Sequence, residues 1–240
     1  MNIKRYKHGD FSVPEWGREW VKLFRLYKTP EELAPLMRIR DRIFDPDTDY
    51  IRIDDGRILH DLGWTKIIIR GSILGSDRSK FEPYWDDIDS WRNDDPRDEL
   101  EPLLQILQED SVEEIIHMSV SFEPVEDTLA VGSPLNATDM RSLPYVELPS
   151  GFLVTDITRL MFDRTGRWGM YASSEEFGLL AGEPAFMDRY SEKAGGMKFI
   201  REKADRYWQA VIDSDAFEAQ WVDHYYKLAG WDNPPQKSEP

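Results

Sequence analysis

The sequence predicts an α+β protein, in which an antiparallel sheet follows N-terminal helices and a C-terminal hairpin precedes a helical subdomain. Two observations carry this prediction. Helix-like and strand-like segments occur in blocks, not in the regular strand–helix alternation that builds a parallel sheet. In addition, the turn sequence "DRTG" (163–166) lies between two strand-like segments, and such an Asp-initiated turn with a closing glycine is typical of a β-hairpin.

Two helices are predicted near the N-terminus. The first begins at Ser12, which can cap it, and the second begins after Thr29, where Glu32 completes a capping box. Because Pro35 lacks a backbone donor in the second turn, we expect the second helix to kink or restart there. The apolar face of the first helix consists of Trp16, Trp20, Leu23 and Tyr27.

Strands are predicted in the middle of the chain at residues 50–53, 65–70 and 113–122, which are rich in β-branched side chains. A helix precedes the third strand. Its apolar face consists of Leu100, Leu103, Leu104 and Leu107.

Residues 123–150 contain four prolines and few periodic signals, so we expect a long irregular connection or an internal boundary near 123–150. Residues 1–232 are then interpreted as a single α+β domain, and residues 233–240 as a disordered tail.

The boundaries of the predicted elements are clearer in the C-terminal half. A hairpin is predicted at residues 152–172, and "SSEE" (173–176) is expected to cap a short helix. Gly195 and Gly196 precede a long helix, and a last helix ends at Gly230. We expect the hairpin to pack under these two helices, whose apolar stripes need a partner. The stripe of the long helix is Met197, Ile200, Ala204, Tyr207 and Val211, and that of the last helix is Phe217, Trp221, His224 and Leu228.

Composition excludes several classes of function. The 40% of hydrophobic residues suffices for a packed core, while the net charge of −16 repels phosphate backbones and disfavours direct nucleic-acid binding. The absence of cysteine excludes disulfides, thiolate nucleophiles and iron–sulfur clusters. No apolar run is long enough for a signal peptide or a membrane span, so we expect a cytoplasmic protein.

One carboxylate cluster has partial metal-loop spacing. Asp45, Asp47 and Asp49 occupy the first, third and fifth positions of an EF-hand loop, but Tyr50 and Gly56 stand where that loop needs glycine and glutamate. The cluster is therefore interpreted as a turn, and neither a metal nor a cofactor is predicted. If the protein were a carboxylate enzyme using a divalent metal, its candidate ligands would be Asp45, Asp47, Asp49, Asp54 and Asp55.

The histidines give no catalytic pattern. Glu114 and His117 have the Glu-x-x-His spacing of di-iron helices, but they occur once, and in a predicted strand, where positions three apart face opposite sides. His224 lies on the apolar stripe of the last helix, so we expect it to be buried or at a subunit contact, without a catalytic role.

Residues 82–102, the acidic stretch, contain nine carboxylates and two arginines, a net charge of −7. Exposed carboxylates accelerate encounters with a basic partner, and interleaved tryptophans can anchor it. The alternative is a solvated loop whose tryptophans turn into the core. The residues predicted to bind a partner are Trp85, Asp86, Asp87, Asp89, Trp91, Asp94 and Asp95.

The sequence thus favours a non-enzymatic acidic binding protein. The most concrete hypothesis is a bacterial immunity protein that neutralises a basic toxin, with no direct nucleic-acid or membrane partner. The alternative is a divalent-metal-dependent enzyme of unknown substrate.

Overall fold

The computed structural model describes residues 25–27, 29–44, 62–70, 97–119, 130–134, 159–172, 177–213 and 222–237. The strands in these ranges are β1 (Arg25–Tyr27), β2 (Thr65–Arg70), β3 (Glu114–Ser119), β4 (Ala130–Pro134), β5 (Arg159–Phe162), β6 (Trp168–Ala172) and β7 (Phe177–Gly182). The helices are α1 (Pro30–Ile43), α2 (Arg97–Glu109), α3 (Pro184–Lys193), α4 (Met197–Asp213) and α5 (Val222–Ala229). The predicted α+β class is confirmed.

The seven described strands form one sheet in the order β1-β4-β3-β5-β6-β7-β2, and every neighbouring pair is antiparallel. The predicted antiparallel sheet is therefore confirmed. Strands β1 and β2 are the edges of the sheet among the described strands, although β2 comes second in the chain. The position of β2 depends on its pairing with β7, more than a hundred residues later in the sequence.

Helices cover both faces of this sheet. Helices α1, α4 and α5 share one apolar cluster with Ile68, whereas α2 and α3 share a second cluster with Ile67 and Ile69. Because successive side chains of a strand point to opposite faces, the two clusters lie on opposite sides of the sheet. Burial on both faces explains why β7 and the three central residues of β2, Ile67, Ile68 and Ile69, are apolar without the alternation of a half-exposed strand.

Helix α1 begins as the sequence predicts. The side chain of Thr29 accepts a hydrogen bond from the backbone of Glu32, and the Glu32 side chain accepts one from the backbone of Thr29. The helix continues through Pro35 to Ile43 without restarting. Burial of Leu33 and other apolar side chains, about 1.5–3 kcal/mol for each, offsets the roughly 3 kcal/mol cost of an interior proline.

Two local predictions are wrong. Tyr27 does not end a helix: it lies in β1, which pairs with β4, and its hydroxyl group bonds to Glu114. The segment after "SSEE" is also not a helix, because Phe177–Gly182 forms β7 between β6 and β2. In both places pairing with distant strands outweighs the local helical signal.

The stretch interpreted as an irregular connection contains a strand. Ala130–Pro134 forms β4, which lies between β1 and β3 in the sheet. A Cβ atom at Gly132 would clash with the end of the Glu114 side chain, so a larger residue at this position would displace the Glu114 carboxylate. Strands from both sides of residues 123–150 therefore belong to one sheet.

The C-terminal hairpin is confirmed for its described part, since β5 and β6 are antiparallel neighbours joined by the "DRTG" turn. Ile200, Ala204 and Tyr207 are buried, as the predicted stripe requires. The strand that lies closest to α4 and α5 is β2, however, and not a strand of the hairpin. Leu160 and Tyr171 of the hairpin belong to the apolar cluster that contains α4 and α5, but they lie on strands further from the β2 edge of the sheet.

Part of the segment interpreted as a disordered tail is described. Gln209 on α4 donates a hydrogen bond of 3.0 Å to the backbone oxygen of Gln236. Arg201 donates to the backbone oxygen of Asn233 at 3.2 Å, and its guanidinium group stacks on Trp231. Residues 233–237 thus lie along α4.

Candidate functional site

The seven residues predicted to bind a partner all lie outside the described residues, as do the five aspartates of the candidate metal cluster. The structure describes only the C-terminal end of the acidic stretch. Its last six residues, 97–102, form the beginning of α2, where Glu101 is exposed and Pro102 is buried. Carboxylates near a helix N-terminus interact favourably with the helix dipole. The C-terminal end of the acidic stretch is therefore held by a helix.

The elements before and after the acidic stretch belong to the same apolar cluster. Strand β2, which precedes the stretch, contributes Ile67 and Ile69. Helix α2 contributes Leu103, Ile106 and Leu107, all of them fully buried. Helix α2 thus packs on β2 at one face of the sheet, while residues 71–81, which separate β2 from the acidic stretch, lie outside the described residues.

The C-terminal end of α2 is held by an ionic network. Asp110 accepts hydrogen bonds from Arg167 at 2.6 Å and from Arg189 at 2.9 and 3.0 Å. Glu109 accepts from Arg189 at 2.9 Å and from Lys193 at 2.6 Å. These hydrogen bonds connect the end of α2 to α3 and to the hairpin turn. They add to the apolar packing that holds α2 on the sheet.

The same cations set the protonation of the two acids. Burial opposes ionisation of Asp110, but hydrogen bonds from Arg167 and Arg189 outweigh it, so the pKa of Asp110 is below its usual range. Hydrogen bonds from Lys193 and Arg189 likewise lower the pKa of Glu109. Since both pKa values fall on folding, the network stabilises the protein at neutral pH, and this contribution is lost as the pH falls into the acidic range.

A second polar cluster lies beside β1. The hydroxyl group of Tyr27 donates to Glu114, and it accepts a hydrogen bond from Arg164 at 2.8 Å. Arg164 also donates to Glu114 at 3.1 Å. The guanidinium of Arg25 stacks over the Tyr27 ring, 4.7 Å from its centre. The side chains of Tyr27, Glu114 and Arg164 are thus all hydrogen-bonded to one another. This arrangement is typical of a cluster with a structural role.

Burial, together with the hydrogen bond to Glu114, raises the pKa of Tyr27 to about 12. The folded protein therefore favours the neutral phenol more than the unfolded chain does, where the pKa is near 10. We expect the stability that Tyr27 contributes to be complete below pH 10 and to be lost as the pH rises to about 12.

Urea unfolding of the parent and of Tyr27→Phe between pH 8 and 12 measures this contribution. The variant should be less stable at pH 8, and the difference should shrink as the pH rises. The comparison removes the effect of Tyr226, whose pKa is also raised, by burial and by its bond to Asp205. A difference that stays constant over this range would contradict the assignment.

The histidines hold no catalytic arrangement among the described residues. His117 is buried on β3, where it and Glu114 point to opposite faces, as the strand prediction requires. His224 lies on α5, half-buried, with its ring edge-on to Tyr225 at 5.5 Å, whereas its predicted neighbour Trp221 lies outside the described residues. Within the described ranges no three His, Asp or Glu side chains are grouped as a metal site.

Charge is distributed unequally along the sequence. Residues 82–102 carry a net charge of −7, and the whole chain carries −16. Close to half of the excess acid therefore lies in less than a tenth of the chain.

Sequence reasoning missed both polar clusters. The Tyr27, Glu114 and Arg164 side chains are separated by 87 and 50 positions in the chain, and Asp110 and Arg189 by 79. No local spacing signals such contacts. The predicted hairpin gave part of the information needed to predict these clusters, because it places Arg164 and Arg167 in one turn.

Comparisons with known proteins add no assignment: no family model matches the chain, and no curated protein or solved structure is similar to it. None of the helices in the described part of the chain is both long and apolar enough to cross a membrane.

Proposed function

We propose that this chain is a non-enzymatic acidic binding protein that uses the acidic stretch to occlude a basic protein partner. In its most concrete form it is a bacterial immunity protein, acting in the cytoplasm on the cationic surface of a toxin. The predicted binding residues are Trp85, Asp86, Asp87, Asp89, Trp91, Asp94 and Asp95.

The observation that carries this proposal is the concentration of charge in the sequence. The acidic stretch carries −7 of the chain's −16 in 21 of its 240 residues. In contrast, Glu109, Asp110 and Glu114 are each paired with a cation. Concentrated like charge is self-repulsive, and a cationic partner relieves this repulsion when it binds.

The position of the C-terminal end of the stretch supports the same proposal. Because residues 97–102 belong to α2, whose Leu103, Ile106 and Leu107 are buried in the core, this end is fixed in the free protein. A fixed end reduces the conformational entropy lost on binding. Tyr84, Trp85 and Trp91 supply the aromatic anchors that dominate many protein interfaces.

Affinity capture from an extract of the source cells tests the proposal. The bait is the parent, and the comparison bait carries asparagine at Asp86, Asp87, Asp94 and Asp95. A matched control removes four exposed carboxylates elsewhere, by the substitutions Glu31→Gln, Glu113→Gln, Asp188→Asn and Glu192→Gln. Both variants change the net charge by the same amount. Their comparison therefore distinguishes binding by the acidic stretch from attraction by the overall negative charge of the protein.

The proposal predicts that the parent and the matched control retain one basic protein that the asparagine variant loses. It also predicts that the parent inhibits that protein's activity, such as cleavage of DNA or RNA. Equal retention by all three baits would contradict it.

Metal titration tests the alternative function, a divalent-metal-dependent enzyme. A large rise in melting temperature with calcium, magnesium or manganese, abolished by Asp47→Asn with Asp49→Asn, would favour the divalent-metal enzyme instead.

A further inference from the structure

We infer that one stripe of α4 is a docking site for an extended, proline-containing segment, and that residues 233–237 of this chain occupy it as a detachable ligand. The stripe consists of Arg201, Asp205 and Gln209, which follow one another at intervals of four residues on one face of the helix. The site is separate from the acidic stretch and does not depend on the proposed function.

Two residues with left-handed backbone turn the chain onto α4 after α5. Gly230, with a φ of +68°, ends α5, and the backbone N–H of Trp231 donates to the carbonyl of Tyr226 at 2.8 Å. Asn233 has a φ of +56°, a region that asparagine adopts more readily than most residues. The local sequence thus favours the path that places the following residues along the stripe.

The donors of the stripe match the acceptors of the segment in spacing. Arg201 donates to the backbone oxygens of Asp232 and Asn233, the second at 3.2 Å. Gln209 donates to the backbone oxygen of Gln236 at 3.0 Å. The eight residues from Arg201 to Gln209 rise about 12 Å along a helix. The four residues from Asp232 to Gln236 also span about 12 Å in a polyproline II conformation, so the stripe fits an extended segment.

The two prolines between these acceptors suit the site. Pro234 and Pro235 have no N–H, so the segment presents carbonyl acceptors without adding backbone donors that need partners. Their fixed φ favours an extended backbone, which reduces the conformational entropy lost on docking. Both prolines are half-buried, whereas Asn233 and Gln236 are exposed. Recognition therefore uses the backbone and the proline rings of the segment.

Arg201 is held in position by its neighbours. Its guanidinium group stacks on the rings of Tyr226 and Trp231, 5.0 Å from the centre of each. It also donates to Asp205 at 3.0 Å. A donor that is already fixed loses little entropy when the segment docks. The segment itself is held through side-chain hydrogen bonds to its backbone, each of which contributes little net free energy, so we expect it to detach while α4 stays folded.

A spin label at residue 236 measures docking in the full chain. The sequence has no cysteine, so Gln236→Cys creates a single attachment point. The substitution keeps the backbone oxygen that accepts from Gln209. We expect electron paramagnetic resonance to show a restricted label. Gln209→Ala should raise the ratio of mobile to restricted label about fivefold, because it removes one hydrogen bond.

Two substitutions on the same helix are matched controls. Asp213→Ala removes the other acceptor of Gln209, a side chain at 3.0 Å, without touching the segment. Lys198→Ala removes a side chain that is 91% exposed and lies outside the stripe. Neither control should change the ratio of mobile to restricted label.

A synthetic peptide with the sequence of residues 232–240, DNPPQKSEP, should displace the labelled segment. Because a tethered segment competes at an effective concentration on the order of millimolar, release should require millimolar peptide. The same peptide with alanine in place of Pro234 and Pro235 should release much less label. A mobile label in the labelled parent, no release by the first peptide, equal release by both peptides, or equal effects of Gln209→Ala and Lys198→Ala would overturn the inference.

Discussion

Replacing Asp86, Asp87, Asp94 and Asp95 by asparagine is expected to slow association with the captured basic protein about tenfold at low ionic strength. Electrostatic steering raises association rates by roughly 10- to 1,000-fold, and the variant removes four of nine carboxylates from the acidic stretch. The parent should show a steep decline in rate with added salt, because screening acts over about 8 Å at physiological ionic strength. The variant should show a flatter decline.

Stopped-flow or biosensor kinetics from low salt to physiological salt measure both quantities. The matched control with four framework carboxylates removed changes the net charge by the same amount, and we expect it to slow association much less. Stability should be unchanged in both variants, since exposed surface substitutions usually shift it by less than about 0.5 kcal/mol. If the asparagine variant associated as fast as the parent at low salt, the acidic stretch would be only a solvated loop.

Asp163→Ala is expected to lower the free energy of unfolding by roughly 3–5 kcal/mol, a large part of a typical domain's 5–15 kcal/mol. The Asp163 side chain is 1% exposed and organises the hairpin turn. It accepts hydrogen bonds from the indole nitrogen of Trp168 at 2.9 Å, from the backbone of Thr165 at 2.7 Å and from the backbone of Gly166 at 3.1 Å. Alanine removes the acceptor of the Trp168 indole and of the Thr165 backbone, whereas the Gly166 backbone keeps a hydrogen bond of 3.1 Å to the backbone oxygen of residue 163.

Urea unfolding of Asp163→Ala, Trp168→Phe and the double variant measures this effect. Because Trp168→Phe removes one of the stranded donors, the double variant should lose less stability than the two single losses combined. Thr165→Val, which removes one hydroxyl donor to Asp163 but keeps the backbone and indole donors, should cost only about 1 kcal/mol. Simple additivity of the first two losses, or a loss below 1 kcal/mol for Asp163→Ala, would show that the turn does not depend on this carboxylate.

These two predictions differ in how far the sequence alone supports them. The acidic stretch is visible as nine carboxylates in 21 residues, and the turn is visible as "DRTG" between two strand-like segments. The burial of Asp163 beside Trp168 was not predictable, because it depends on distant contacts: Arg42 of α1 donates to the backbone of the turn, and Trp168 stacks on Phe186 of α3. The sequence therefore indicated where the turn is, and the tertiary structure shows what it stabilises.

The sequence by itself determined the α+β class, the capped helix α1, strands β2 and β3, the hairpin of β5 and β6, and the two C-terminal helices. Each of these depends on local information: a capping box, a β-branched run, turn residues, or apolar side chains at helical spacing. The excess of acid and the absence of cysteine are also properties of the sequence alone.

Only the tertiary structure decided that Tyr27 belongs to a strand, that "FGLLAG" pairs with β2, and that β4 lies inside the proline-containing connection. It also decided the contacts of Glu109, Asp110 and Glu114 with distant arginines. In an antiparallel sheet, hydrogen bonds with strands far along the chain can outweigh the local conformational preference of a segment. Ion pairs form wherever packing brings opposite charges together. Neither leaves a periodic signal in the sequence, because the partners are set by sheet order and not by spacing.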